Sequence, residues 1–352
     1  MATVMAIFIV ALAFAAVSTP LVRELAWRLG FVAMPRQDRA HQEPTAMMGG
    51  VAIFGGATLA LLAAAVGVRL WLGPVLRLAE LFGILAGGAL MALIGLWDDR
   101  HSLSPAVKLS AQLVPVVILI LTGVQVNLRL PQILNLVLTA AWVLYITNAV
   151  NYLDNMDGIT VMLAAVSGAF LTLIAVLNGQ RLVSMLAAAL TGASLGFARY
   201  NLPLPRARIF MGDAGALFIG FLLATLGIKL RIPGNTNLVT WMVPVLVLGL
   251  PIFDTALVFV SRWRRGISFF HGGVDHTTHR LHRLGMDNLA VAFAVGLINS
   301  GLGILATFVM QADIAEAYTV GAIVLAVALY VLWRIEFRAS DEIRTGQGPT
   351  CK

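Results

Sequence analysis

Residues 133–158 read ILNLVLTAAWVLYITNAVNYLDNMDG, an apolar run that leads directly into asparagines and aspartates. The apolar part, residues 133–149, approaches the roughly 20 helical residues that cross about 30 Å of bilayer hydrocarbon. A charged side chain at the centre of an inserted helix costs roughly 2.5–3.5 kcal/mol. Carboxylates placed against such a run are therefore candidates for function.

The composition of the whole chain agrees with this stretch. Of its 352 residues, 59% are hydrophobic and 12% are charged, and the mean hydropathy is +0.90, which exceeds what a water-soluble domain shows. We predict an all-α polytopic membrane bundle with about 11 transmembrane helices. Residues 1–340 are predicted to form a single integral-membrane domain, and residues 341–352 a cytoplasmic tail. The predicted spans are 3–22, 48–68, 80–97, 108–124, 133–149, 159–177, 182–199, 209–228, 238–261, 288–311 and 316–335.

The first span begins almost at Met1 and has no suitable cleavage site, so it is predicted to be a retained helix and not a signal peptide. The single cysteine, Cys351, lies in the polar tail. An intrachain disulfide and a CxxC metal site are both excluded by that count.

Basic residues indicate the orientation in the membrane. Most of the 24 Lys and Arg residues fall in alternate loops, and these loops face the cytoplasm if the N-terminus is outside and the C-terminus inside. We therefore predict a multi-pass protein of the inner (plasma) membrane. The net charge of +7 reflects this topology first and attraction for anionic headgroups or phosphorylated ligands second. Nucleic acid is not an expected partner, because the basic residues are scattered over short loops without a recognition fold.

The same orientation places every acidic cluster on the cytoplasmic side. A transporter would more often hold such groups near the bilayer midplane, at broken helices. An enzyme that takes one substrate from the cytosol and one from the lipid needs them at the inner interface, so the placement favours an enzyme. The clustered acids are Asp98, Asp99, Asp154, Asp157, Asp213 and Asp254.

Within NAVNYLDNMDG, polar side chains recur every three residues: Asn148, Asn151, Asp154 and Asp157. In an α-helix each would lie about 60° behind the last, so a helix that breaks at Gly158 would bring them together better. Asp154 and Asp157 would repel each other unless a cation or a proton lies between them. A polar cap with solvated acids is the alternative to a site for a cation and its phosphate ligands.

The segment GLWDDRHSLSP places Asp98 and Asp99 at the end of the third span. Adjacent positions point about 100° apart on a helix, so the two acids are expected to have different roles. Ser104 and Pro105 indicate the N-cap and first turn of the next helix. Lys108 follows one turn later and could screen the phosphates of a ligand. Solvated helix caps are the alternative interpretation of the acid pair.

The segment RIFMGDAGALFIG places Asp213 between Gly212 and Gly215 at the mouth of a helix. Glycines there allow backbone N–H groups to approach an anion, and the helix N-terminus favours negative charge. A carboxylate in that position suits Mg²⁺ bridging to phosphate. Zinc is not expected, because thiolates are absent and the histidines cluster in one loop. Small residues for close helix packing explain the glycines but not the aspartate.

The longest cytoplasmic loop is SRWRRGISFFHGGVDHTTHRLHRLG, residues 261–285. On a helical turn His276 shares a face with Arg280, and His279 shares one with Arg283, which would form a cationic wall for a diphosphate. Metal ligation, proton transfer and a plain basic surface loop are alternatives. Four of the six histidines lie in this loop: His271, His276, His279 and His282.

Taken together, these motifs resemble the polyprenyl-phosphate N-acetylhexosamine-1-phosphate transferases. The resemblance runs from about His41 to Leu284 and keeps the order and spacing of the family's motifs. The histidine loop resembles the WecA/TagO-like branch more than the MraY branch, although Thr278 stands where many such loops have histidine. The motifs are MGG (48–50), GLWDD (95–99), Lys108, NAVNYLDNMDG (148–158), YNLPLPRARIFMGDAG (200–215), PIFDT (251–255) and DHTTHRL (275–281).

The resemblance implies transfer of a HexNAc 1-phosphate, foremost GlcNAc-1-phosphate, from a UDP-sugar to undecaprenyl or another polyprenyl phosphate. UMP is released, and the step is the first membrane reaction of cell-envelope glycan synthesis. The implied cofactor is Mg²⁺, with Mn²⁺ as a substitute, and a homodimer is possible. The alternatives are UDP-MurNAc-pentapeptide or a modified HexNAc as donor, or a transporter or flippase with an acidic relay.

The resemblance also implies roles for individual residues. Asp254 is interpreted on other grounds: a single acid near the end of a span often supports the structure by pairing with a basic neighbour. The expected catalytic residues are Asp98, Asp99, Asp154, Asp157 and Lys108; the expected substrate contacts are Asn148, Asn151, Asn201, His276, His279 and Arg280; the expected metal ligands are Asp213 and Asp154.

Overall fold

A computed structural model describes residues 1–34, 44–72, 78–269 and 273–338 of the chain. His271, Cys351 and the predicted tail, residues 341–352, lie outside the described residues. The strands are β1 (Val32–Ala33) and β2 (Thr45–Ala46). The helices are α1 (Ala2–Leu29), α2 (Gly49–Leu72), α3 (Leu78–His101), α4 (Pro105–Leu121), α5 (Gln132–Leu153), α6 (Ile159–Leu177), α7 (Arg181–Asn201), α8 (Gly212–Lys229), α9 (Asn237–Thr240), α10 (Met242–Val247), α11 (Gly249–Arg265), α12 (Thr277–Arg283), α13 (Asn288–Val309) and α14 (Ile314–Trp333), which continues as a π-helical turn, Arg334–Arg338.

The predicted all-α membrane bundle is confirmed. Ten of the eleven predicted spans each coincide with one helix, and within the described ranges nine helices are long and apolar enough to cross a membrane. A tenth span is broken: the segments Asn237–Val247 and Gly249–Arg265 meet at an angle of 72°. The remaining predicted span is α4, which has 17 residues and is shorter than the others.

The centre of the bundle is formed by α7 and α8, which are buried along most of their length. Helix α8 packs against α3 and α5, and α7 packs against α1 and α6. The outermost helix, α14, is almost entirely exposed and carries large apolar side chains such as Leu325 and Leu329. Exposed apolar side chains on outer helices suit contact with lipid, so the described helices form a bundle with a packed centre and an apolar perimeter.

Short backbone contacts fix the start of α8. The strands β1 and β2 pair antiparallel, and the chain after β2 runs beside Phe210. The Phe210 N–H donates to Ala46 O (2.8 Å), and the Gly49 N–H donates to Phe210 O (2.9 Å). The MGG motif at residues 48–50 therefore holds the segment that carries Asp213.

Helices α3 and α8 approach each other closely at Gly95. A Cβ atom added to Gly95 would lie 2.3 Å from the backbone nitrogen of Ala214. Only a glycine allows this approach without displacing the backbone. The close contact brings the acidic end of α3 next to the N-terminus of α8.

Candidate active site

Four helix ends meet around the ammonium group of Lys108, at the start of α4. Its Nζ lies 2.7 Å from Asp98 Oδ2, 2.5 Å from Asp213 Oδ2 and 2.8 Å from Asn151 Oδ1. The Asn151 amide also donates to Asp213 Oδ1 (3.0 Å). The Lys108 side chain is only 14% exposed. A buried cation is thus paired with two carboxylates, and we call Asp98, Lys108, Asn151 and Asp213 the lysine cluster.

Asp99 faces a different partner from Asp98. Helix α3 continues through both residues, so the two side chains diverge, and Asp99 accepts hydrogen bonds from the N–H groups of Asp213 (2.9 Å) and Ala214 (3.4 Å). A carboxylate at this position caps the N-terminus of α8 and interacts favourably with its dipole. Gly212 permits the cap, since its φ is 71° and a Cβ there would lie 2.6 Å from Asp99 Oδ2.

The predicted helix break at Gly158 is confirmed. Helix α5 ends at Leu153, and Gly158, with φ 80°, is the N-cap residue directly before α6. Asp154 and Asp157 lie in the turn between them. Burial raises the pKa of both carboxyl groups to about 7, and the negative charges of Asp213 and Asp157 add to the rise at Asp154. Deprotonation of both acids is therefore less favourable than that of an exposed carboxyl group.

Two asparagines predicted to contact substrate are hydrogen bonded within the protein. The Asn201 side chain accepts from the Gly158 N–H (3.1 Å) and donates to Ile209 O (3.1 Å). Asn148 donates to Gln112 Oε1 (2.7 Å) and accepts from the Gln112 amide (3.3 Å). The bonds of Asn201 stabilise the turn between α5 and α6, and those of Asn148 stabilise the contact between α4 and α5. A role in substrate binding stays a prediction for both asparagines.

His276 forms a buried pair with Asp254. Its Nδ1 lies 2.7 Å from Asp254 Oδ2, and the Thr277 N–H donates to Asp254 Oδ1 (2.6 Å). Asp254 is fully buried, and the His276 side chain is 8% exposed. Asp254 thereby orients the imidazole of His276 and the start of α12. Its sequence-based interpretation as a support for a basic neighbour is consistent with this geometry.

His279 lies in α12 and His276 directly before this helix, and their ring centroids are 6.2 Å apart. Burial lowers the pKa of His279, and the nearby His276 and Arg283 lower it further. A neutral imidazole can accept or donate a single hydrogen bond at each nitrogen. His279 therefore carries less positive charge than the predicted cationic wall for a diphosphate requires.

The Arg280 side chain points toward the π-helical turn that follows α14. Its guanidinium contacts Glu336 Oε1, Ser261 Oγ (3.2 Å) and Asp275 O (2.9 Å). Glu336 also contacts Arg264. Direct binding of a diphosphate by Arg280 remains a prediction, because in this arrangement its donors are directed to protein oxygens.

A hydrogen bond joins the histidine loop to the 154–158 turn. The Thr278 hydroxyl donates to Asn155 Oδ1 (2.6 Å), and Thr278 is fully buried. Residues that the sequence did not single out therefore organise the site: Asn155, Gln112 and Glu336. Asn155 lay inside a recognised polar segment, whereas Gln112 and Glu336 carry no local signal because their partners are distant in sequence.

The lysine cluster has the donor chemistry that Mg²⁺ prefers. Three oxygen atoms from three helices already converge on one cation, the ammonium of Lys108. Within the described ranges, no three His, Cys, Asp or Glu side chains surround a common point. Mg²⁺ commonly uses one or two carboxylates together with phosphate oxygens and waters, so the oxygens present fit this ion without a three-carboxylate site.

The fold and the site define a multi-pass membrane enzyme whose polar residues meet at one end of a helical bundle. Comparison with known proteins specifies the family. The family model for glycosyl transferase family 4 matches residues 81–231. The chain belongs to this family, within the polyprenyl-phosphate N-acetylhexosamine-1-phosphate transferases.

Three relatives illustrate the similarity. The chain is 32% identical to a decaprenyl-phosphate N-acetylglucosaminephosphotransferase of Mycolicibacterium smegmatis, over 82% of this chain and 77% of the relative. It is 28% identical to a probable undecaprenyl-phosphate N-acetylglucosaminyl 1-phosphate transferase of Bacillus subtilis, over 83% and 82%. It is 25% identical to the undecaprenyl-phosphate alpha-N-acetylglucosaminyl 1-phosphate transferase of Escherichia coli K12, over 81% and 79%.

Proposed function

We propose that this protein transfers GlcNAc-1-phosphate from UDP-GlcNAc to undecaprenyl phosphate or a similar polyprenyl phosphate, with Mg²⁺ as cofactor. UMP is the second product. The names of the similar proteins support the acceptor and the transferred group. The nucleotide donor, the cofactor and a cytoplasm-facing site in the inner membrane are parts of the proposal.

The observation that carries the proposal is the lysine cluster. Phosphate groups of a donor and an acceptor repel each other, and an enzyme that joins them must supply fixed positive charge. The Lys108 ammonium, held by Asp98, Asp213 and Asn151 at one end of the bundle, would supply part of this charge. Mg²⁺ held by the carboxylates would supply the rest. A lipid phosphate at the membrane surface and a soluble nucleotide can both reach such a position.

The two carboxylates nearest this ammonium have separate tasks in the proposal. Asp213, with Asp154 from the adjacent turn, would hold Mg²⁺, which supplies positive charge to the phosphate oxygens when it is bound. Asp98 would keep Lys108 oriented toward the phosphates. Asp99 would hold the N-terminus of α8, and therefore Asp213, in place through its two backbone hydrogen bonds.

The reaction exchanges one P–O bond for another. An oxygen of the polyprenyl phosphate attacks the β-phosphorus of the UDP-sugar and forms a new P–O bond. The bridging bond between the β-phosphorus and the α-phosphate oxygen breaks, and its electron pair leaves with UMP. A phosphate monoester is largely ionised at neutral pH, so a strong base is not required. His276, oriented by Asp254, would donate a hydrogen bond to the diphosphate or sugar of the donor.

A transporter or flippase with an acidic relay is the rival proposal from another class. It would place acids near the middle of the spans, where substrate and ions cross. Here Asp98 lies in the last turn of α3, Asp213 in the first turn of α8, and Asp154 just after α5. Their position at helix ends supports chemistry at an interface.

A donor panel tests the proposal. Purified protein in liposomes with undecaprenyl phosphate receives labelled UDP-GlcNAc, UDP-GalNAc or UDP-MurNAc-pentapeptide, with Mg²⁺, with Mn²⁺ or with a chelator. We expect a GlcNAc-diphospholipid and UMP in equal amounts, dependent on the divalent ion. A different preferred donor would replace the sugar assignment, and the absence of a lipid product with every donor would contradict the transferase.

A further inference from the structure

A polar cavity lies at the opposite end of the bundle from the lysine cluster. Its volume is about 670 Å³, and its lining includes Glu80 at the start of α3 and Lys229 at the end of α8. Glu80 precedes Asp98 by 18 residues on one helix, a separation of about 27 Å at 1.5 Å per residue. The cavity therefore lies near the other membrane surface, away from the proposed transferase residues.

Basic residues outnumber acids around this cavity. Lys229 Nζ pairs with Glu80 Oε2 at 2.6 Å, and both side chains are largely buried. Arg181 and Arg231 also line the cavity, and both are exposed. Among the described residues, neither guanidinium makes a side-chain hydrogen bond or ion pair. The two arginines therefore give the cavity an excess of positive charge that can be used by a ligand.

The protein holds this part of the cavity in a defined shape. The Gln180 side chain accepts from the Arg231 N–H (3.0 Å) and donates to Arg231 O, which fixes the segment after α8 against the start of α7. Helix α7 begins at Arg181 without a side-chain cap, and its first three residues line the cavity. The free N–H groups of a helix start add to the attraction that the arginines exert on an anion.

Exposed apolar side chains stand close in the chain to two glycines that line the cavity. Leu121 is 79% exposed and Leu177 is 58% exposed. Each stands two residues before a turn glycine that lines the cavity, Gly123 or Gly179. A ligand whose phosphate lies in the cavity and whose hydrocarbon lies along these leucines complements both the basic surface and the apolar one. A phosphate without hydrocarbon would satisfy only the first.

We infer that the cavity lined by Arg181, Arg231 and Lys229 binds the headgroup of an anionic phospholipid. The phosphate contacts the two arginines, and the acyl chains lie along the exposed leucines. Glu80 neutralises Lys229, which leaves the two arginine charges for a phosphodiester. The bound lipid would fasten the ends of α3, α7 and α8 at the surface opposite the active site.

Native mass spectrometry of the full-length protein tests this inference. The protein is released from phosphatidylcholine nanodiscs that contain or lack phosphatidylglycerol, and the retained lipid is counted. We expect one phosphatidylglycerol on the wild type. The variant Arg181→Ala/Arg231→Ala should retain it about thirtyfold more weakly, since each basic residue near an anionic surface contributes roughly a factor of five.

Two controls separate charge from folding. Arg129→Ala removes an exposed arginine that does not line the cavity and should retain lipid like the wild type. Arg181→Lys/Arg231→Lys keeps the charge and should retain most of it. Equal retention by the double alanine variant would overturn the inference. Displacement of the lipid by millimolar inorganic phosphate would also overturn it, because the site would then recognise phosphate without a lipid.

Discussion

Asp254 and His276 provide the clearest test of a single pairwise contact. If Asp254 acts by orienting the imidazole, removing it matters only while the imidazole is present. We expect His276→Ala to lower kcat/KM about 100-fold and Asp254→Ala to lower it about tenfold or more. The double variant should be no worse than His276→Ala alone. A double-mutant cycle of initial transfer rates measures this coupling.

The melting temperature of each variant serves as the control for this cycle, because Asp254 also holds the Thr277 N–H. A merely structural Asp254 would lower stability in both backgrounds, and its effect on kcat/KM would multiply with that of His276→Ala. Multiplied losses would therefore contradict a positioning role.

At the residue scale, motifs indicated which side chains meet but not how each is used. Asp98, Lys108 and Asp213 lay in separate motifs, and the structure brings them within hydrogen-bonding distance. Asp99 caps α8, a use that depends on a segment 114 residues away. The partners of Asn201 and Arg280 could not be predicted, because hydrogen bonds between distant segments leave no local pattern.

At the scale of elements, the junction between α3 and α8 depends on Gly212. A methyl group there would lie 2.6 Å from Asp99 Oδ2, and a φ of 71° is unfavourable for alanine. We expect Gly212→Ala to cost about 1–3 kcal/mol and to lower transfer activity about tenfold. Gly301→Ala is the matched control, since a Cβ at Gly301 meets no atom within 4 Å. Equal activity of the two variants would show that the Asp99 cap does not position Asp213.

Asp275 joins the histidine loop to α11 through ion pairs with Arg262 and Arg265. These ion pairs predict that the stability of the protein depends on pH. Burial alone would raise the pKa of Asp275, but hydrogen bonds and charge from Arg265 and Arg262 outweigh it and lower the pKa below 3.8. A depressed carboxyl pKa contributes stability above the unfolded pKa, and that contribution is lost as the pH falls through the folded pKa. Asp275→Asn should therefore melt at a lower temperature than wild type at neutral pH, with the difference closing below about pH 4.

Thermal unfolding in detergent across this pH range measures the difference. Asp313→Asn is the control, because asparagine caps a helix as well as aspartate does. A constant difference between Asp275→Asn and wild type down to the most acidic pH would contradict the ion-pair explanation.

At this scale the sequence predicted most of the architecture. Runs of apolar residues located the spans, and Gly158 located a break, because both signals are local. The bend after α10 was not predicted, since residues 238–261 form one apolar run in which helix packing decides the geometry. The short strands β1 and β2 were also not predicted, because two-residue pairing carries no periodicity.

For the whole molecule, orientation in the membrane stays a prediction that the chain's single cysteine can test. Cys351 lies in the tail that the distribution of Lys and Arg assigns to the cytoplasm. In intact spheroplasts a membrane-impermeant maleimide should label Cys351 only after permeabilisation. Cys351→Ser/Arg129→Cys, which carries its thiol at the other end of the bundle, should be labelled without it. The reverse pattern would contradict the orientation.

The central claim is that the lysine cluster is the reaction centre of a polyprenyl-phosphate transferase. Its most direct test is the rate of GlcNAc-1-phosphate transfer by Lys108→Met in liposomes, at saturating Mg²⁺. The control is Arg129→Met, which removes a basic side chain that lies outside both the lysine cluster and the cavity. Loss of one charge-stabilising donor typically costs about 100- to 1,000-fold in kcat. We predict a loss of this size for Lys108→Met and nearly unchanged transfer by the control; full transfer by folded Lys108→Met would contradict the claim.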